Sequence, residues 1–157
     1  MLGERTAPMD TDAADAAALR AAVDLAHDRA GPHEPHWRER RFTGQRAFAA
    51  WAAVLRDFNE PVEDRHHANM HSNLTWNRIA AVAYLREVTD RHEGEVTAAL
   101  CEAVSAYGSV VEQLEQLNCW GLAENPDARL SFANQVDAIA AAELEAAGHI
   151  ERALAAW

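Results

Sequence analysis

Lysine is absent from this 157-residue sequence, and cysteine occurs only twice, as Cys101 and Cys119. Two cysteines cannot form a disulfide framework, and their separation is not that of a paired-thiol metal site. No apolar run approaches the roughly 20 residues that a membrane-spanning helix requires. The first residues also lack the apolar stretch of a secretory signal. We therefore expect a cytoplasmic protein with no membrane partner.

Positive charge is also scarce, because 14 arginines stand against 25 acidic residues and give a formal net charge of −11. A surface of this sign repels the phosphate backbone of nucleic acids unless its arginines cluster. We therefore expect no nucleic-acid partner.

Alanine, by contrast, fills 35 of the 157 positions. It has the highest helix propensity of any residue, and the β-branched residues that favour strands are sparse. Abundant alanine without lysine is typical of codon bias in a GC-rich bacterial genome. A chain of this length buries roughly 70% of its unfolded surface as one domain. The composition therefore predicts a single-domain, all-α helical bundle.

Hydrophobic periodicity and helix stop signals divide the chain into a tail and five helices. Residues 1–11 are predicted to form a flexible N-terminal tail, and residues 12–157 a helical bundle domain. Gly31 and Pro32 mark the end of the first helix, and Thr43 is the expected cap of the second. The predicted helices span residues 12–30, 44–58, 63–89, 95–117 and 128–155.

The fourth predicted helix carries apolar residues at alternating three- and four-residue steps, which is the pattern of a helix-bundle seam. These residues are Val96, Leu100, Ala103, Tyr107, Val110, Leu114 and Leu117. One hypothesis is that this seam, or the tryptophan-bearing helix ends, holds the chain in a homodimer.

The third predicted helix departs from a purely apolar stripe. His67 and His71 lie one turn apart on its apolar side, and Arg78 falls where the helix turns inward. On the last helix, Glu143 occupies a position where the spacing predicts an apolar residue. Because a lone buried charge is costly, an inward-facing Arg78 and Glu143 have to pair.

These four residues permit three interpretations: a structural ion pair beside exposed histidines, a ligand-binding pocket, or a metal site at His67 and His71. A metal ion needs a third ligand, and no second histidine pair or Glu-x-x-His motif occurs in the sequence. We therefore expect no metal and no cofactor. In the pocket interpretation, Trp51, Trp76 and Tyr107 form the walls.

Other tryptophans and histidines have ordinary interpretations. Trp37, Trp120 and Trp157 lie in connectors or at helix ends, where an indole packs while its N–H reaches water. His33 and His36 lie in a proline-containing connector, where solvated side chains are the default.

Arg65 and His71 resemble the short Arg…His motif of HEPN-domain ribonucleases, in which paired helical bundles cleave RNA without a metal ion. A polar residue follows the arginine, as it does in that family. Arg86 and His92 have the same spacing, however, and the acidic composition disfavours RNA. A ribonuclease is therefore the most distant alternative.

From Phe42 onward, spaced residues resemble the C-terminal helical region of bacterial proteins similar to the butirosin biosynthesis protein H. The resemblance implies a helical module that closes over, or binds, a small molecule in a natural-product pathway. The papain-like half of those proteins is not expected here, so their acyl-transfer chemistry is not implied. The matching motifs are Gly44-x2-Ala47-x3-Trp51-x3-Leu55, Arg78-x2-Ala81-x3-Leu85, and Ala103-x3-Tyr107 followed by Leu114.

The sequence supports three hypotheses of function. The first is a small-molecule-binding or accessory protein, in which Arg78 pairs with a ligand carboxylate or phosphate and His71 hydrogen-bonds the ligand. The second is an enzyme that uses Glu143 and His71 as acid and base. The third is a homodimeric interaction protein with no ligand.

Overall fold

The computed structural model describes residues 10–29 and 43–157. Within these ranges the chain forms five α-helices and no strand, which confirms the predicted all-α bundle. No helix in the described ranges is long and apolar enough to cross a membrane. Residues 1–9 of the predicted tail, Trp37, His33 and His36 lie outside the described residues. The helices are α1 (Thr11–Ala26), α2 (Gly44–Arg56), α3 (Asp64–Thr89), α4 (Gly94–Glu115) and α5 (Pro126–Ala156).

The end of α1 and the start of α2 are joined through one aspartate. Helix α1 ends at Ala26 and not near residue 30, because Asp28 adopts a left-handed backbone with φ 57°. The Asp28 carboxylate accepts the backbone N–H of Arg46 at 3.1 Å, in the first turn of α2. Thr43 is the N-cap residue of α2, as predicted, but its side chain makes no capping hydrogen bond. The carboxylate of Asp28 accepts a backbone N–H in the first turn of α2 and so caps the N-terminus of this helix instead.

Gly44, the first residue of α2, lies directly on the backbone that ends α1. Its φ is +50°, and a Cβ added there would overlap the carbonyl oxygens of Leu25 and Ala26. Glycine alone combines this left-handed backbone with so close an approach. The two short helices therefore meet closely at this point.

The α4–α5 hairpin is the centre of the bundle, with α3 packed on α4 and both α1 and α2 packed on α5. Arg129, near the start of α5, lies across the C-terminus of α2. Its guanidinium donates to the carbonyl oxygens of Leu55 at 2.6 Å, Val54 at 2.8 Å and Asp57 at 2.5 Å. The last carbonyls of a helix have no partner within it, so this buried arginine satisfies the end of α2.

Buried apolar residues form two clusters, which Glu143 separates along α5. The α2-side cluster includes α2 and the α5 residues up to Ala140, and the α1-side cluster includes α1 and the α5 residues from Ala146 onward. The predicted seam of α4 divides between them after Tyr107. The whole seam is buried within one chain and offers no surface for the hypothesised homodimer, whereas a homodimer through the tryptophan-bearing helix ends stays a prediction.

Candidate functional site

A cleft of about 470 Å³, called here the central cleft, lies between α1 and α2 on one side and α3 on the other. It lies at the boundary of the two apolar clusters. Small residues face each other across it, and they are too short to fill the space between the helices: Ala22, Ala26, Gly44, Ala47 and Ala81. Larger apolar side chains complete the walls: Leu25, Phe48, Trp51, Met70 and Leu74.

The floor of the central cleft is polar and consists of Arg78, Tyr107 and Glu143. Glu143 is only 4% exposed, and its two carboxylate oxygens accept hydrogen bonds from Nε and Nη2 of Arg78, the latter at 2.7 Å. This bidentate contact confirms the predicted pairing of the two residues. The side chain of Arg78 is 25% exposed, so the arginine is the member of the pair nearer to the cleft.

Tyr107 brings a hydroxyl to the same floor. Burial raises the pKa of Tyr107 to about 12, and the negative charge of Glu143 acts in the same direction while Arg78 opposes it. The hydroxyl therefore stays protonated at neutral pH. A protonated hydroxyl donates one hydrogen bond and also accepts.

His67, a predicted ligand contact, lies behind the cleft wall and does not line it. Its Nδ1 accepts a hydrogen bond at 2.8 Å from Nε1 of Trp51, which does line the cleft. Burial lowers the pKa of His67, and the nearby His66 and Arg129 lower it further. The ring is therefore neutral at pH 7 with its proton on Nε2, and it positions the Trp51 indole.

His71, the other predicted imidazole, also lies outside the cleft lining. Its Nε2 is 2.7 Å from the carbonyl oxygen of Leu114, in the last turn of α4. Donation from Nε2 gives this oxygen a second hydrogen bond, beside the one from the backbone N–H of Leu117 at 3.0 Å. The two imidazoles bind different partners, and no group of three or more potential metal ligands occurs in the described ranges.

Trp76, predicted as a wall of the pocket, lies on the opposite side of α3. Its side chain is 71% exposed, whereas Leu74 and Arg78 face the cleft. Two residues along a helix correspond to a rotation of about 200°, which turns Trp76 away from the cleft that Leu74 lines. The prediction of Trp76 as a wall of the pocket is therefore wrong.

Sequence reasoning missed the contribution of α1 and of two amides. Leu25 and the small residues of α1 form one wall, and Asn73 and Asn77 lie on the α3 side. The sequence did contain a signal for the cleft: small residues recur at helical spacing in α1 and α2, and small residues on facing helices leave the space between them unfilled. A second cavity, of about 420 Å³ between α4 and α5, holds Glu102 bound to His149 at 2.8 Å. It was not anticipated.

No protein-family model matches the chain, and no curated protein or solved structure is significantly similar to it. The resemblance to the helical region of butirosin biosynthesis protein H-like proteins therefore stays a prediction.

Proposed function

We propose that the protein binds a small molecule in the central cleft. The observation that carries this proposal is a charge-compensated ion pair at the floor of a mostly apolar cavity. Ligand sites are concave, measure about 300–1,000 Å³ and combine mostly apolar walls with a few converging polar groups. The central cleft, at about 470 Å³, has each of these properties.

A small molecule fits this cavity better than a protein surface does. Stable protein partners bury roughly 800 Å² on each side, with most polar contacts at the rim. Here the ion pair and the Tyr107 hydroxyl meet at the bottom of a concave space between three helices. Such an arrangement favours a small molecule that enters the cleft and contacts the polar groups at its bottom.

Binding is also better supported than acid–base catalysis by Glu143 and His71. Both oxygens of Glu143 accept hydrogen bonds from Arg78, and His71 bonds the carbonyl oxygen of Leu114 away from the cleft lining. A general acid or base has to reach the substrate proton within about 3 Å. A place in bacterial specialised metabolism rests on the sequence resemblance alone and is proposed with that support.

A variant that fills the cavity tests the proposal. Ala81 lines the cleft, whereas its exposed neighbour Ala80 does not, so Ala81→Trp and Ala80→Trp form a matched pair. Native mass spectrometry of gently purified protein should show an added small-molecule mass on the wild type and on Ala80→Trp. That mass should be absent from Ala81→Trp.

Titration with a library of small apolar compounds, followed by NMR, provides an independent readout. We expect chemical-shift changes that concentrate on residues of the central cleft. If no compound binds there and the purified protein carries no added mass, the proposed function is wrong.

A further inference from the structure

We infer that the ligand of the central cleft is a neutral molecule with an apolar, ring-sized body and a hydrogen-bond-accepting oxygen. This inference rests on the proposed function. It replaces the carboxylate or phosphate that the sequence suggested as the partner of Arg78. Three properties of the cleft support it: the charge of its floor, the donors that the floor offers and the chemistry of its walls.

The charge of Arg78 is already compensated inside the protein. Glu143 binds it through both carboxylate oxygens and is 4% exposed, so the pair as a whole carries no net charge. An anionic ligand would lose its hydration in order to approach a guanidinium that a buried carboxylate already neutralises. The net charge of −11 provides no compensating attraction. A cationic ligand would first meet Arg78, the more exposed member of the pair.

The floor nevertheless offers unused donors. Nε and Nη2 of Arg78 bond Glu143, whereas Nη1 makes no hydrogen bond to any described residue. Tyr107, whose hydroxyl is protonated, lines the same floor. An arginine has no acceptor and five N–H donors, so a ligand oxygen that accepts is the complementary group. Glu143 is only 4% exposed, so the lone pairs that its contact with Arg78 leaves free are largely closed to a donor on the ligand.

The side chains of the cleft walls determine the shape and polarity of the ligand's apolar part. Trp51 is held in place by its hydrogen bond to His67, and Phe48, Met70 and Leu74 surround the same space. A fixed indole favours a flat ring packed against it, and methionine adapts to the outline of what it contacts. The amides of Asn73 and Asn77 add polar groups on the α3 side without adding charge.

Three probes with one common ring system test the inference: naphthamide, naphthoate and naphthalene. They carry, respectively, a neutral amide whose oxygen accepts hydrogen bonds, an anionic carboxylate and no polar substituent. By isothermal titration calorimetry at neutral pH, naphthamide should bind the wild type about fivefold tighter than naphthalene, which is the effect of one net hydrogen bond. Naphthoate should bind more weakly than naphthamide by a similar factor.

Two isosteric variants separate charge from hydrogen bonding. In Glu143→Gln the charge of Arg78 is no longer compensated, so naphthoate should become the tightest of the three probes. Tyr107→Phe should weaken naphthamide about fivefold and leave naphthalene unchanged. Far-UV circular dichroism and thermal melts show whether each variant folds.

The outcomes distinguish this inference from the proposed function. If naphthoate binds the wild type as tightly as naphthamide, the inference is overturned while small-molecule binding stands. The inference is also overturned if folded Glu143→Gln keeps the wild-type order of affinities. If none of the probes binds the wild type, the inference is overturned, and the native mass spectra and the compound library then decide the proposed function. If Glu143→Gln does not fold, the inference is tested by the order of the three probe affinities for the wild type and by the affinity of Tyr107→Phe for naphthamide.

Discussion

Replacing Arg78 with methionine removes both hydrogen bonds that the structure gives to the buried Glu143 carboxylate. Methionine keeps most of the apolar length of arginine, so the change isolates the loss of the guanidinium. Glu143 is 4% exposed and would be left as a buried carboxylate without its partner. The double variant, with methionine at both positions, removes the unpaired charge as well.

The size of the effect follows from this burial. Breaking a buried ion pair by removing one partner costs about 3–5 kcal/mol, whereas replacing the whole pair with apolar residues is neutral or stabilising. Because the Arg78 side chain is 25% exposed, we expect the lower end of the range, about 3 kcal/mol. For a chain of this size that corresponds to a melting temperature about 6–12 °C lower. The double variant should lie within about 1 kcal/mol of the wild type, or above it.

Urea unfolding followed by far-UV circular dichroism measures these free energies. A control variant is Arg56→Met, because Arg56 pairs with Asp137 at 2.5 Å with the two side chains 39% and 49% exposed. An exposed pair contributes less than about 1 kcal/mol, so this variant should differ little from the wild type. If Arg78→Met is as stable as Arg56→Met, or if the double variant is as unstable as the single one, our account of the floor is refuted.

Three further changes test other contacts. Because the pKa of His67 is lowered in the fold, the free energy of unfolding should fall as the pH drops below the unfolded pKa of about 6.5. His67→Gln should make the urea midpoint depend less on pH, and an equal slope in both proteins would contradict this prediction. Gly44→Ala should lower the free energy of unfolding by about 1–3 kcal/mol or more because of the left-handed φ at this position. Gly108→Ala, where a Cβ has free space, should be neutral or stabilising, and similar melting temperatures for the two variants would argue against this. Arg129→Met should lower the free energy of unfolding by at least about 2 kcal/mol, because the carbonyls at the end of α2 lose their donor. A change below about 0.5 kcal/mol would disprove the role of Arg129 in capping α2.

The helices were predictable because apolar spacing and composition determine them locally. Their ends were less so, and the start of α2 shows why. Thr43 has the side chain of a cap, but Asp28, distant in sequence, provides the contact after taking a left-handed backbone. A cap donated from another segment depends on tertiary packing, which residue-by-residue patterns do not contain.

The candidate site was predictable in part for a similar reason. A charge on an otherwise apolar stripe indicated Arg78 and Glu143, because burial forces opposite charges together. The same logic failed for His67 and His71, since an imidazole can be satisfied by an indole N–H or a backbone carbonyl as well as by a ligand. Which partner it finds depends on how neighbouring helices cross.

The division of the core at Glu143 has a consequence for local opening of the bundle. Helix α1 contributes only to the α1-side cluster and α2 only to the α2-side cluster, whereas α4 and α5 contribute to both. Amide hydrogen exchange should therefore show α1 and α2 opening as separate units, at lower free energy than the α4–α5 hairpin. Because the cleft is bounded by α1, α2 and α3, an occupant would slow exchange in both short helices together and couple two openings that are otherwise linked only where α1 ends and α2 begins.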